Sequence, residues 1–168
     1  TRLKLSLTLL KSSEEIKEML EDVNSMQSML DEFLVFAKTE AIEETSLVDP
    51  VLLIEKLVNR NQSVFPNIDS IFNDNELISR KIPLRENIFE RAIQNIIDNA
   101  INFGSNIILM LEFRRKYLFI SIEDDGPGIK PVDRLTALKP FSRLDQSRNQ
   151  DSHSGVGLGL SIALDTVR

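Results

Sequence analysis

The sequence Asp124-Asp125-Gly126-Pro127-Gly128-Ile129 follows directly on residues 118–123, a run with β-branched and aromatic side chains at alternating positions. Such a run predicts a strand that ends in a glycine turn. An ionised carboxylate only accepts hydrogen bonds, which suits Asp124 to an exocyclic amino group such as that of adenine. Gly126 and Gly128 lack a Cβ, so backbone can approach a flat ligand closely there. The alternative is an ordinary tight turn rich in Asp, Gly and Pro.

Upstream of this turn, two asparagines share one face of a predicted helix. The helix is indicated by apolar side chains that recur at helical spacing: Phe89, Ile93, Ile96, Ile97 and Ala100. Asn95 and Asn99 are four residues apart, so their side chains are neighbours. An amide oxygen can bind Mg²⁺, which takes only one or two protein ligands and completes its shell with water and phosphate. The alternative is a solvated polar edge of the helix.

Downstream, a glycine-rich segment, Gly155-Val156-Gly157-Leu158-Gly159-Leu160, precedes a predicted helix over residues 161–167. Backbone amides at a glycine-rich helix start can hold phosphate. The spacing differs from that of the dinucleotide-binding motif, and the Gly-Lys-Ser/Thr of a P-loop is missing. Both common nucleotide-binding folds are therefore disfavoured.

Together these segments resemble the catalytic ATP-binding domain of two-component sensor histidine kinases, and their spacing is most similar to the osmosensor-type class. The matching motifs are the N box (Asn95 and Asn99), the G1 box (Asp124, Gly126 and Gly128), the F box (Pro140-Phe141-Ser142-Arg143) and the G2 box (Gly155, Gly157 and Gly159). The resemblance covers most of the chain. It implies ATP and Mg²⁺ as cofactors and a superfamily shared with DNA gyrase and with heat-shock and mismatch-repair ATPases.

The resemblance also implies roles for individual residues. Asp124 would read adenine, Phe103 would stack on it, and Asn99 with Asn95 would hold Mg²⁺ and phosphate. The other implied ATP-binding residues are Gly126, Gly128, Phe141, Arg143, Gly155, Gly157, Gly159 and Leu160. Hydrolytic relatives place a Glu at the position of Asn95 as the base for water, and a neutral amide cannot take that proton. The sequence thus favours a kinase over an ATPase of the same superfamily.

Two departures from the family pattern affect the expected activity. Asn102 stands where the family commonly has a basic residue, and the only histidine, His153, lies in a polar segment. Residues 1–5 resemble the stretch that follows the phosphoacceptor histidine, so we expect that acceptor to be absent from this sequence. The family places further strands after the G2 helix, and we expect these to be absent as well, because the sequence ends at Arg168. The chain should bind Mg·ATP without labelling itself. A non-catalytic or degenerate dimerisation and nucleotide-sensing module is the alternative function.

The segment from Pro131 to Ser154 is mostly polar and is typical of a mobile lid over a nucleotide. Lys139, Arg143 and Arg148 could reach phosphate oxygens from it, or simply be solvated. Phe141 could equally be a plain apolar anchor for the lid.

The N-terminal part predicts a helical hairpin. Leu3, Leu7 and Leu10 follow one apolar stripe, and Ile16, Leu20, Val23, Leu30 and Ala37 follow a second. Ser12 and Glu15 form a capping-box pattern at the start of the second helix. So thin a hairpin cannot bury its stripes alone, which predicts a homodimer through a four-helix bundle. The alternative is a hairpin folded back on its own ATP-binding domain.

The predicted fold class is α+β, a helical dimerisation hairpin followed by an α/β sandwich of the histidine-kinase type. We place the hairpin at residues 1–40, a linker at 41–49 and the ATP-binding domain at 50–168. Asp49 and Pro50 indicate a helix start. Its buried face would be Val51, Ile54, Leu57 and Val58; strands are expected at 68–72 and 77–82, and a hairpin at 106–123 turning near 114–116.

Composition limits the classes of partner. A net charge of −6 argues against nucleic acid, and the absence of cysteine fits a reducing cytoplasm. No apolar run approaches the roughly 20 residues of a spanning helix. The resemblance implies the cytoplasmic core of a bacterial inner-membrane sensor, with a response regulator as partner and membrane contact only through segments absent from this sequence.

Overall fold

The computed structural model describes residues 43–72, 81–114, 117–142 and 157–166, together with scattered positions between 16 and 34. The chain divides into two compact units, Thr1–Ile42 and Glu43–Arg168. Every described position of the first unit is helical, as the second apolar stripe predicts. The first predicted helix and the remainder of the hairpin lie outside the described residues.

The second unit begins with helix α1, Pro50–Gln62. The carboxylate of Asp49 accepts hydrogen bonds from the backbone N–H of Val51 at 3.0 Å and of Leu52 at 3.3 Å. Pro50 occupies the first turn, where a missing N–H costs nothing. The predicted helix start is therefore confirmed. Its buried side chains are Pro50, Leu53, Ile54, Leu57 and Val58.

Helix α2 spans Glu86–Phe103, and its buried stripe is Ile88, Ala92, Ile93, Ile97 and Ala100. Its first turn is capped by Glu43, which is more than 40 residues away in the sequence. That carboxylate accepts the backbone N–H of Asn87 at 2.6 Å and of Ile88 at 3.0 Å, as well as the side-chain amide of Asn87 at 2.9 Å. Since the first N–H groups of a helix have no partner within it, Glu43 stabilises the start of α2.

Within the described residues, five strands form two small sheets. Strand β1, Ser46–Val48, pairs antiparallel with β3, Ile82–Leu84. Strand β2, Ile68–Phe72, is parallel to β4, Ile107–Arg114, which pairs antiparallel with β5, Tyr117–Asp124. The larger sheet is therefore mixed, in the order β2-β4-β5. Arg114 faces Tyr117 across β4 and β5, which confirms the predicted hairpin.

The core lies between this sheet and the helices. Ile107, Leu109 and Leu111 alternate along β4 with more exposed residues, and they pack with Ile54 and Ile97 from α1 and α2. Two further helices follow, α3 at Arg134–Ala137 and α4 at Gly159–Thr166. None of the helices among the described residues is long and apolar enough to cross a membrane.

Two elements differ from the sequence-based expectations. Strand β1 falls within residues 41–49, which we predicted to be a linker. Its two apolar residues sit among acidic and hydroxyl side chains, so only the pairing with β3 identifies it. The strand expected at 77–82 is observed at Ile82–Leu84, and residues 73–80 lie outside the described part of the chain.

Candidate functional site

Helix α2 presents three of the candidate site residues on one face. Asn95, Asn99 and Phe103 follow one another at intervals of four, so they span about 12 Å along the helix at 1.5 Å per residue. Asn95 and Asn99 are half-buried, whereas Phe103 at the C-terminal end is 50% exposed. An exposed aromatic ring at the end of a helix offers a flat apolar surface to a ligand.

The end of β5 brings Asp124 next to this helix end. Asp124 Oδ1 accepts the backbone N–H of Gly126 at 2.9 Å. A Cβ built on Gly126 would lie 2.7 Å from the carbonyl oxygen of Phe103 and 2.6 Å from Asp124 Oδ1. Only glycine fits between these atoms, because real Cβ contacts are never so short. The G1 turn and the end of the N-box helix are therefore in direct backbone contact.

Asp125 ties the same two segments together through its side chain. Its Oδ1 accepts the backbone N–H of Ser105 at 2.6 Å and of Asn106 at 3.0 Å, and its Oδ2 accepts the amide of Asn106 at 2.6 Å. These hydrogen bonds, that from Ser105 most strongly, lower the pKa of Asp125 from 3.8 to about 2. Sequence reasoning missed this role, since its partners lie about 20 residues upstream without any repeating pattern.

The F and G2 boxes are joined by backbone. The N–H of Phe141 donates to the carbonyl of Gly157 at 2.9 Å. Gly157 has φ +78°, and a Cβ there would lie 2.8 Å from the carbonyl oxygen of Ser142. Phe141 itself has φ +62°, a strained backbone for a side chain other than glycine, and it is 55% exposed. Strain of this kind concentrates at ligand-binding and moving segments.

The G2 segment reaches the N box through Gly159, the first residue of α4. A Cβ on Gly159 would lie 3.5 Å from Asn95 Cβ, and α4 packs against α2. Leu158 is buried, and its carbonyl accepts the hydroxyl of Ser161 at 2.8 Å and the N–H of Ile162 at 2.9 Å. This closes a chain of contacts from the G1 turn through α2 to the G2 and F boxes.

The remaining candidates are placed as follows. Gly128 has φ +66°, and nothing lies within 4 Å of the position that a Cβ would take there, so it extends from the G1 turn into open space. Leu160 is half-buried on α4. Arg143 and Gly155 lie outside the described residues, as does Arg148, so their roles stay predictions.

A polar cleft of about 430 Å³ adjoins Asn95, between α1 and the first half of α2. Lys56 Nζ and Arg60 Nη1 lie 3.1 Å and 2.7 Å from the carboxylate of Glu90. Arg60 Nη2 also donates to Gln94 Oε1 at 2.7 Å. Burial raises the pKa of Glu90, but the hydrogen bonds and charges of Lys56 and Arg60 outweigh it and lower the pKa below its ordinary value.

The ion pairs of Lys56 and Arg60 with Glu90 connect α1 to α2, the helix that carries the N box. The sequence contains a signal for them, because Lys56 and Arg60 are one helical turn apart on α1 and Glu90 and Gln94 are one turn apart on α2. That signal could only be used once the two helices were known to be neighbours.

The side chain of Asn95 fits both phosphate and Mg²⁺. Asn95 Nδ2 is buried and donates no hydrogen bond within the described part of the chain. A buried amide without a partner is costly, and a phosphate oxygen would satisfy it. If the amide turns over, its oxygen becomes a ligand suited to Mg²⁺. No group of three or more His, Cys, Asp or Glu side chains that could hold a metal occurs among the described residues.

Comparison with known proteins supplies the family. Residues 85–168, half of the chain, match a family described as histidine kinase-, DNA gyrase B-, and HSP90-like ATPases. The chain belongs to this family. The resemblance to sensor histidine kinases and the α+β fold class, predicted from the sequence, are thereby confirmed.

Several sensor kinases are similar to the chain. Sensor histidine kinase CpxA of Escherichia coli (strain K12) is 26% identical over 184 aligned positions, which cover 100% of this chain and 38% of CpxA. Signal transduction histidine-protein kinase ArlS of Staphylococcus epidermidis is 31% identical over 163 positions, 92% of this chain and 35% of ArlS. The chain thus spans little more than a third of these relatives.

Among solved structures, full-length ShkA in complex with AMPPNP superposes with a TM-score of 0.67 at 21% identity, covering 92% of this chain and 34% of ShkA. A likeness at this level of identity concerns the fold. The helices and the mixed sheet described above are thus those of a fold already seen in a solved structure.

Proposed function

We propose that this chain binds Mg·ATP and is the core of a sensor histidine kinase, which transfers the γ-phosphoryl group to a histidine for relay to an aspartate of a response regulator. One observation carries the proposal: the N, G1, F and G2 boxes are joined by contacts that run from Gly126 through α2 to Gly159 and Gly157. Motifs far apart in sequence thus lie next to one another, as a shared nucleotide site would require. ShkA, which shares this fold, is described in complex with AMPPNP.

Each side chain then has a role. The adenine ring would stack on Phe103, which is half exposed at the end of α2, and its amino group would donate to Asp124 Oδ2, since Oδ1 already accepts from Gly126. Asn95 would donate its buried amide to a phosphate oxygen. Asn99 would supply an oxygen ligand to Mg²⁺. Backbone of the G2 box would line the phosphates where α4 begins.

The neutral side chain of Asn95 favours phosphoryl transfer as the type of reaction. Phosphoryl transfer needs positioning and charge stabilisation rather than covalent help from the protein, and bound Mg²⁺ would neutralise developing charge. Asn95 cannot deprotonate water, which favours transfer to an acceptor over hydrolysis. Arg143, predicted as a phosphate contact in the F box, would add a positive charge that favours phosphate.

The larger protein would be a membrane-anchored sensor that forms a homodimer, and this chain would belong to its cytoplasmic part. The first unit supports the dimer, because Met26, Leu30 and Leu34 are exposed on its helical segment. The similarity to CpxA and ArlS, which are named as histidine kinases, supports this assignment. The response regulator would be a protein partner that accepts the phosphoryl group.

Calorimetry with ATP in the presence and absence of Mg²⁺ tests the proposal. Asp124→Asn leaves an unfavourable pairing with the amino group of adenine and should weaken ATP binding about tenfold or more. Asn99→Ala should abolish mainly the gain in affinity that Mg²⁺ provides. Asp69→Asn is the matched control, because Asp69 is exposed on β2 and lies opposite Ile108 of β4, which is not a residue of the candidate site. A wild-type chain that fails to bind ATP, or Asp124→Asn with wild-type affinity, would contradict the proposal.

A further inference from the structure

We propose that Asp125 is a positioning residue for adenine specificity, because it fixes the distance between the ring of Phe103 and the carboxylate of Asp124. The inference rests on the proposed ATP binding and deepens it. Asp125 does not itself touch the base in this proposal. It acts on the connection after α2, residues 104–106.

The hydrogen bonds of Asp125 define this role. A single carboxylate accepts two backbone N–H groups and one side-chain amide, all from Ser105 and Asn106. Its backbone neighbour is Asp124, and the neighbour of Ser105 is Gly104, which follows Phe103. Of the two groups that would recognise adenine, Asp124 is thus one residue from Asp125, and Phe103 is two residues from Ser105. The low pKa of Asp125 reflects these bonds, which favour its ionised form.

The close approach of the two backbones gives independent support. A Cβ on Gly104 would lie 2.9 Å from Asp124 Cβ, and one on Gly126 would lie 2.7 Å from the Phe103 carbonyl oxygen. Such contact is kept only while something holds the segments together. A further side-chain hydrogen bond to this connection, from Asn67 Nδ2 to the Ser105 carbonyl at 3.1 Å, ties it to the residue before β2 and not to Asp124.

Specificity depends on both groups being correctly placed at once. An aromatic ring stacks on any purine, so Phe103 contributes affinity without distinguishing one base from another. Only Asp124 distinguishes an amino group from a carbonyl, since its carboxylate accepts and cannot donate. A displacement of about 1 Å weakens a hydrogen bond steeply and stacking much less. Loss of the Asp125 bonds should therefore lower discrimination between bases more than it lowers general nucleotide affinity.

The test compares Mg·ATP with Mg·ITP, in which a carbonyl replaces the amino group, by calorimetry on the full 168-residue chain. Asp125→Ala should weaken ATP binding about tenfold and ITP binding far less, so that the preference for ATP falls. Asp125→Asn should keep the preference within about threefold of wild type. Its Oδ1 still accepts both backbone N–H groups, and the amide of Asn106 can turn over to accept from it.

A control and a second variant separate positioning from mere stability. Asn67→Ala loosens the same connection from its other side, so it should lower the unfolding temperature and leave the preference for ATP unchanged. Asn106→Ala removes only the bond to Asp125 Oδ2 and should give a preference for ATP between those of wild type and Asp125→Ala. This variant replaces Asp125→Ala in the test if Asp125→Ala does not fold.

The outcomes are distinguishable. Equal weakening of ATP and ITP in Asp125→Ala, or in Asn106→Ala where the first does not fold, would overturn the inference, as would an unchanged preference. A wild-type chain that binds no ATP, or does not prefer ATP to ITP, would overturn the proposed function and this inference with it.

Discussion

Gly126 lies where the two segments of the candidate site come closest. The carbonyl oxygen of Phe103 and the carboxylate of Asp124 leave no room for a methyl group beside it. Gly128, two residues later, is required for a different reason, because its positive φ is unfavourable for other residues although space around it is open. Glycine is thus required at position 126 for steric reasons and at position 128 for its backbone conformation.

We expect Gly126→Ala to destabilise the chain by about 1–3 kcal/mol and to weaken ATP binding, since backbone must shift to admit the methyl group. Gly128→Ala should cost about 1 kcal/mol from backbone conformation alone. Urea unfolding and ATP titration of both variants measure the difference. A Gly126→Ala variant as stable as wild type would contradict the close approach.

Asp125 also predicts a pH dependence of stability. Because its pKa in the folded chain is about 2 and its ordinary value is 3.8, the stabilisation is complete above about pH 4 and is lost as the pH falls towards 2. The free energy of unfolding of wild type should therefore fall relative to that of Asp125→Asn across this window. Parallel acid unfolding curves for the two chains would argue against the three hydrogen bonds.

At the level of elements, helix α2 depends on a residue that precedes it by more than 40 positions. Glu43 accepts two backbone N–H groups of its first turn, and β1, which follows Glu43, pairs with β3 just before α2. The segment 43–48 is thus attached to the start of α2 through Glu43 and to β3, which precedes α2, through Ser46–Val48. The helix that carries Asn95 and Asn99 is therefore positioned partly from outside its own sequence.

Glu43→Ala should lower the free energy of unfolding by about 1 kcal/mol, the usual cost of a lost helix cap. Glu44→Ala is the control, because Glu44 is the exposed neighbouring carboxylate. Thermal unfolding followed by circular dichroism compares the two. Equal unfolding temperatures for the two variants would mean that Glu43 contributes nothing to α2.

Local signals determined which elements could be predicted from the sequence. The start of α1 could be predicted, since Asp49 and Pro50 act within one turn of the helix, and the β4–β5 hairpin followed from alternating side chains. Strand β1 could not, because three residues form a strand there only through pairing with residues 82–84. The same holds in the site: the glycines and asparagines stand in motifs, whereas the partners of Asp125 become neighbours only when the chain folds.

On the scale of the whole molecule, the two units differ in how well they cover their apolar side chains. In the second unit one aliphatic face of each of α1, α2 and β4 is buried in a common core. In the first, Leu30 is 59% exposed and Leu34 43%. An apolar stripe left exposed in a single chain marks a surface for association.

We expect the chain to form a homodimer through residues 1–40 and the double variant Val23→Glu, Leu30→Glu to be monomeric, since it would bury charges at the interface. ATP affinity should be unchanged, because the candidate site is formed within residues 43–168. Asn24→Glu adds a charge beside the stripe and should stay dimeric. Light scattering decides: a monomeric wild type at high micromolar concentration, or a dimeric double variant, would contradict the bundle.

The β4–β5 hairpin also indicates where the chain can be lengthened. Asp124 faces Ile107 and the turn joins Arg114 to Tyr117, so the full length of β5, about 24 Å at 3.4 Å per residue, separates the turn from the site. A single residue inserted within β5 would exchange its inner and outer faces and turn Asp124 away from α2. Residues inserted between Arg114 and Tyr117 leave that pairing intact. A fluorescent reporter or an affinity tag placed there should therefore leave the geometry of the candidate site unchanged.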